Sequence, residues 1–251
     1  MKKFFKPLNI LLILVLLVNI FLLTNYRKEN IDEPWVLSFY YNFVNHGVST
    51  DNVFLGNEGQ IGVQHFGKTT AYLYGSVLNV LGWTRFNASL ISLTLLLIAI
   101  WIWYKNVLMI SDKNRIFAKI TAILMLTIEA FVAIANSPRN EALVFLIAAL
   151  VFYFYLKQKH FLAAVIFAMS LEIHPVAIVA TVPIIAHYFC FKEKPPKGII
   201  WKTTAAFVIA ALYYLALHHA ELGTLTSVLS SATKTAWSNL FDRCLCRCQR
   251  L

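Results

Sequence analysis

Long uncharged apolar runs constrain this chain more than any other feature. Leu8 to Thr24, Phe86 to Tyr104 and Ala142 to Leu156 hold no charged side chain. A bilayer's hydrocarbon core is about 30 Å thick and takes about 20 residues of helix to cross. Backbone polar groups placed there must be satisfied inside the segment itself, which selects helices. Composition agrees with that setting. Hydrophobic residues are 59% and charged residues 14% of the 251, against about 45–50% and about 25% in soluble domains.

The expected fold is an all-α polytopic transmembrane bundle of about seven spans. Leu8 to Thr24 reads as a signal anchor, because no small-residue cleavage site follows it. Phe86 to Tyr104, Ile116 to Asn136 and Ala142 to Leu156 are the next three spans. Phe161 to Phe191 is long for one span and short for two. Lys157 and Lys159 precede it, and Lys192, Lys194 and Lys197 follow it. Positive charge favours the cytoplasmic side, so with both flanks inside the segment must turn back on itself, with Glu172, His174 and Pro175 at the turn. Ile199 to Leu217 is the last span. Lysines before the first span and Lys105, Lys113 and Arg115 after the second also fall inside, with the N-terminus in the cytoplasm. Of twelve acidic residues only Asp112 and Glu193 share that side.

Residues 25–85 form the one long polar loop, outside the membrane. Within it, Pro34 to His46 and Thr70 to Leu81 read as interfacial helices, stopped by Gly47 and Gly82. Residues 1–217 make one membrane module. Residues 218–251 are a tail without apolar periodicity, which reads either as a real basic tail or as an aberrant or truncated end.

The net charge of +10 does not point to nucleic acid, since the positives sit between apolar runs and serve orientation. Cys190 lies in an apolar run and is expected to pack as a small hydrophobe. Cys244, Cys246 and Cys248 have a spacing that metal could use, but no histidine or carboxylate pattern accompanies them.

A few polar residues carry the possible chemistry. Asp32 and Glu33 are adjacent carboxylates just after the first span. Such a group takes a proton from a hydroxyl or ligates a divalent metal, and it also suits a helix N-terminus. Glu129 lies inside a span, where ionisable residues default to function unless they reach the interface. Arg139 and Glu141 flank an outer turn. Arginine suits a phosphate, and the two also suit each other; Lys68 and Arg85 pose the same question. His174 is open to roles as base, ligand or hydrogen-bonded interfacial residue. No phosphate-binding loop, nucleophile elbow or dinucleotide fingerprint is present.

The order of these elements resembles the membrane glycosyltransferases of the dolichyl-phosphate-mannose protein mannosyltransferase (GT-C) type. Their bacterial relatives include the aminoarabinose-transferring and Rgt-type lipopolysaccharide enzymes. Asp32-Glu33 and an aromatic helix come first. Lys68 and Tyr72 to Gly82 are similar to the family's "KPPLYYWL…LFG" segment, and Arg85 to Ser89 to its "RLPSA". Ser137 to Leu143 is similar to "ARPEAL", and His174-Pro175 follows. Thr69-Thr70 stands where the family has a proline pair, and Asn140 where "RPE" has its proline. Family members are usually longer, with more spans. The resemblance implies sugar transfer from a polyprenyl-phosphate carrier on the non-cytoplasmic side, in a bacterial inner membrane. Asp32 would be the base with Glu33 beside it, and Lys68, Arg85, Arg139, Glu141 and His174 would line the substrate site. Two other classes stay open: a transporter or flippase-like carrier that couples through Glu129, and a non-catalytic fragment of a longer transferase.

Overall fold

A computed structural model describes residues 5–25, 32–56, 60–63, 66–191 and 198–219. The chain divides into two units, Met1–Tyr214 and Leu215–Leu251. Among the described residues of the second unit, His219 shares a hydrogen bond with the Ala216 carbonyl, 3.1 Å away. The cysteines of the tail lie outside the described residues.

The apolar runs are helices. They are α1 (Phe5–Asn25), α4 (Arg85–Ile110), α5 (Arg115–Thr127), α6 (Glu129–Ala135), α7 (Asn140–Leu156), α8 (His160–Ile173), a 3-10 helix (Pro175–Thr181), α9 (Val182–Phe191) and α10 (Ile199–His218). Three helices are long and apolar enough to cross a membrane, in Pro7–Asn25, Arg85–Ile110 and Ile200–His218, and the bent pair α5–α6 makes a fourth if it acts as one span. Asn140–Leu156, His160–Ile173 and Pro175–Phe191 are apolar but shorter. The first loop holds α2 (Asp32–His46) and α3 (Lys68–Leu81), close to the predicted interfacial helices. It also holds an antiparallel ribbon, β1 (Thr50–Gly56) with β2 (Gln60–Val63), which no alternation of apolar residues announces.

The third predicted span is not continuous. The axis turns by 68° between α5 and α6, at Ile128, where the backbone is extended. A kink needs a cause, and neither proline nor glycine is there. The Asn19 amide, buried in α1, donates to the Leu126 carbonyl across 3.2 Å. A side-chain donor from a neighbouring helix thereby takes an acceptor from the helical ladder just before the break.

α4 is the central helix. Ala88, Ser89, Ser92 and Ala99 are buried along it, and small residues let helices approach closely without relying on a hydrophobic drive. Ser89 Oγ donates to the Asn136 carbonyl at 3.1 Å and Ser92 Oγ to that of Ser137 at 2.7 Å. Near the other end Asn106 Nδ2 donates to the Ala149 carbonyl at 2.9 Å. These contacts make α4 and α7 run in the same direction. Lys119 bonds Asn9, and Leu126 meets Asn19, so α1 and α5 also run together, opposite to α4. Tyr155 meets both His160 and His187, with ring centroids 5.6 Å away in each case. The start of α8 and the end of α9 therefore lie at one level, and the chain from 160 to 191 turns back at His174-Pro175. Cys190 is exposed rather than packed inside the bundle.

Candidate functional site

The polar residues singled out in the sequence gather where α2 and α3 cover one end of the bundle. The closest point is an ion pair: Glu33 at the start of α2 lies 3.2 Å from Arg85 at the start of α4. Glu33 is buried and Arg85 is 39% exposed. A buried carboxylate needs a partner, and this one ties the loop helix to the bundle. Asp32 begins α2, and its side chain lies outside the described residues.

Glu172 organises the next layer. It is buried near the end of α8 and accepts from the Lys68 amide at 2.8 Å, the Thr69 amide at 3.3 Å and the Thr69 hydroxyl. Its backbone carbonyl accepts from the Gly67 amide at 2.6 Å. Free amides at a helix N-terminus attract anions, so Glu172 fixes the start of α3. Gly67 has φ +87°, a backbone that costs glycine little and other residues much. The buried Lys68 has its Nζ 5.5 Å from the centre of the Phe43 ring. A second glycine, Gly75, lets α3 sit on α2: a Cβ there would stand 3.0 Å from Val44 Cβ.

Asn140 joins four segments. Its Oδ1 accepts from the Tyr40 hydroxyl at 2.7 Å, and its Nδ2 donates to the Ile173 carbonyl at 3.4 Å. A Cβ on Gly67 would lie 3.5 Å from the same Nδ2. The buried Tyr74 hydroxyl is 2.8 Å from Ser92 Oγ. Ser92 Oγ also donates to the Ser137 carbonyl, so the two hydroxyls and that carbonyl form one buried chain. Burial holds both phenols above their usual ionisation range. For Tyr40, Tyr74 and Glu141 add to the effect; for Tyr74, the bond to Ser92 opposes it. Both therefore stay protonated donors.

Arg139 and Glu141 form a pair at 2.8 Å, each about one-third exposed. His174 caps the 3-10 helix: its Nδ1 accepts from the Val176 amide at 3.1 Å, which leaves the ring proton on Nε2. The ring stands edge-on to Phe66, with centroids 5.5 Å apart. Glu129 is exposed at the first position of α6, beside the bend. Among the described residues no three His, Cys, Asp or Glu side chains come together as a metal site.

So Glu33, Lys68, Arg85, Arg139, Glu141 and His174 share one end of the bundle. Most of them hold the fold as they lie: Glu33 with Arg85, Arg139 with Glu141, His174 as a cap. Asn140, Tyr40 and Thr69 carry no signal in the sequence beyond Asn140 and Thr69 replacing prolines of the resembling motifs. Models of known families, curated proteins and solved structures all fail to match this chain.

Proposed function

We propose that this chain is a multi-pass membrane glycosyltransferase that takes sugar from a polyprenyl-phosphate donor on the non-cytoplasmic side. The observation that carries the reading is convergence. Arg85, Lys68, Arg139 and His174 come from four separate segments at the end of the bundle that α2 covers, and α2 begins with Asp32. An anionic lipid headgroup needs cations such as Lys68, Arg85 and Arg139 at the bilayer surface, and an acceptor hydroxyl needs a base. Asp32 is that base. The N-terminus of α2 favours its ionised form.

In this reading the seven apolar arms are spans. Their directions alternate from α1 to α10, and Lys105, Lys113 and Lys157 fall at the end away from α2. The N-terminus is then cytoplasmic, in a bacterial inner membrane. Single-cysteine labelling at His46 and Asn57 from outside, and at Lys113 only after permeabilisation, checks the topology; labelling of Lys113 in intact cells would overturn it.

The function is tested by assaying glycan product in a host lacking its own enzyme. Asp32→Asn keeps the size and capping ability of Asp32 and removes the base. Product formation should fall about 10²–10⁴-fold at unchanged expression. Wild-type rates would sink the assignment. A second reading, a carrier, draws on one observation: α5–α6 is a broken helix with Glu129 beside the break, a feature of transporter sites. Loss of function in Glu129→Gln with a normal Asp32→Asn would favour it.

A further inference from the structure

A cavity of about 1030 Å³ lies between the C-terminal turns of α4 and α7, at the end away from α2. Trp101 and Tyr153 are among its apolar walls, and its rim carries Lys105, Lys113, Lys157 and Asp112. Among the described residues three lysines thus face one carboxylate. Among the described residues none of these lysines forms an ion pair. Lys105 Nζ lies 5.5 Å from the Trp101 ring centre, and Lys157 Nζ lies 5.9 Å from that of Tyr153. Aliphatic stems along aromatic walls with ammonium groups at the rim suit a membrane interface.

The backbone supports the same rim. Both helices end in turns that need left-handed residues, yet no glycine is used. Asp112, Lys113 and Gln158 have φ of 48°, 65° and 59°, a region that non-glycine residues avoid. The Lys113 amide closes one turn on the Leu108 carbonyl at 2.9 Å, and the Lys159 amide closes the other on Phe154 at 2.9 Å. These turns set Lys113 and Lys157 on opposite sides of one opening. Trp101, on the wall, is 60% exposed, so the cavity continues into the outward apolar face of α4.

We propose that this cavity seats the phosphate of an anionic membrane phospholipid, with the lysines at the headgroup and the acyl chains along α4 and α7. The site is separate from the α2 end and needs only that these helices lie in a membrane. The test is melting of the purified full chain in detergent during titration with phosphatidylglycerol or phosphatidylcholine. Phosphatidylglycerol should raise the melting temperature saturably, and phosphatidylcholine should not. Each lysine should contribute about fivefold in apparent affinity and the three together roughly a hundredfold. The triple change Lys105→Gln, Lys113→Gln and Lys157→Gln should therefore bind roughly a hundredfold more weakly. Changing Lys202, which is exposed and does not line the cavity, to Gln should leave binding intact. Lys113→Gly relaxes the turn and removes one ammonium, so it should lose about fivefold without losing lipid-free stability. It decides the matter if the triple variant melts early. Wild-type affinity in the triple variant overturns the proposal, as does equal loss in the Lys202→Gln variant. Complete displacement of the lipid by equimolar inorganic phosphate would assign the cavity to a soluble anion instead.

Discussion

The two ends of this bundle treat charge in opposite ways. At the α2 end, acids and bases are matched: Glu33 with Arg85, Arg139 with Glu141, and Glu172 with the amides that open α3. At the other end, Lys105, Lys113 and Lys157 lie over rings or at a cavity rim, and among the described residues only Asp112 shares the opening. The difference follows from where each end finds its counter-charge. Carboxylates covered by loop helices, as Glu33 and Glu172 are, are shielded from water, so their charge must be satisfied from within. An open rim at a membrane surface takes its counter-charge from outside. Internal matching builds a rigid end, and external matching leaves an end ready for a ligand.

The harshest way to break this comparison is Glu172→Ala. It strands the Lys68 and Thr69 amides at a buried helix start, and hydrogen bonds to a charged group contribute about 1.5–3 kcal/mol each. A loss of about 3 kcal/mol or more is expected, read as a clear fall in the detergent melting temperature. An unchanged melting temperature would mean that Glu172 does not hold α3. Removal of the rim lysines should cost almost nothing by the same measurement, since exposed substitutions fall within about 0.5 kcal/mol.

A double-mutant cycle on Glu33→Gln and Arg85→Gln comes next. Glu33 is buried, but Arg85 is 39% exposed, so solvent screening holds the expected coupling to about 1 kcal/mol. Zero coupling would make this a surface-like pair and blur the contrast between the ends.

Asn140→Pro sharpens the comparison by swapping in the residue of the resembling motif. Asn140 is the first residue of α7, a position that tolerates proline, and Arg139 before it is already extended at φ −118° and ψ 167°. The backbone is therefore ready, and only the bonds to Tyr40 and Ile173 are lost. About 1–2 kcal/mol of stability should go with them, and Tyr40→Phe should show part of the same loss. A fall well above that range would show that the proline itself strains the turn.

The smallest effect is at the rim. Gln158→Gly relieves a left-handed residue and should leave stability level or raise it by up to about 1 kcal/mol. A marked fall would mean that the Gln158 side chain, which meets His160 at 2.9 Å, matters more than its backbone.

Much of this architecture is written locally. Uncharged runs make helices in any setting that excludes water, Gly47 and Gly82 end α2 and α3, and basic flanks around 160–191 predict the turn at His174-Pro175. Each of these depends on neighbours in the chain, which is why the sequence alone determines the helical class, the loop helices and the gathering of polar residues toward one end. What pairs with what was decided only in three dimensions. Asn19 meets Leu126, Tyr40 meets Asn140 and Lys68 meets Glu172 across 100 residues or more of chain. The bend at Ile128, the capping role of Glu172 and the cavity between α4 and α7 all depend on contacts of this long-range kind. No local propensity encodes them, because a side chain's partner is set by how helices dock, and docking depends on the shape of both faces at once.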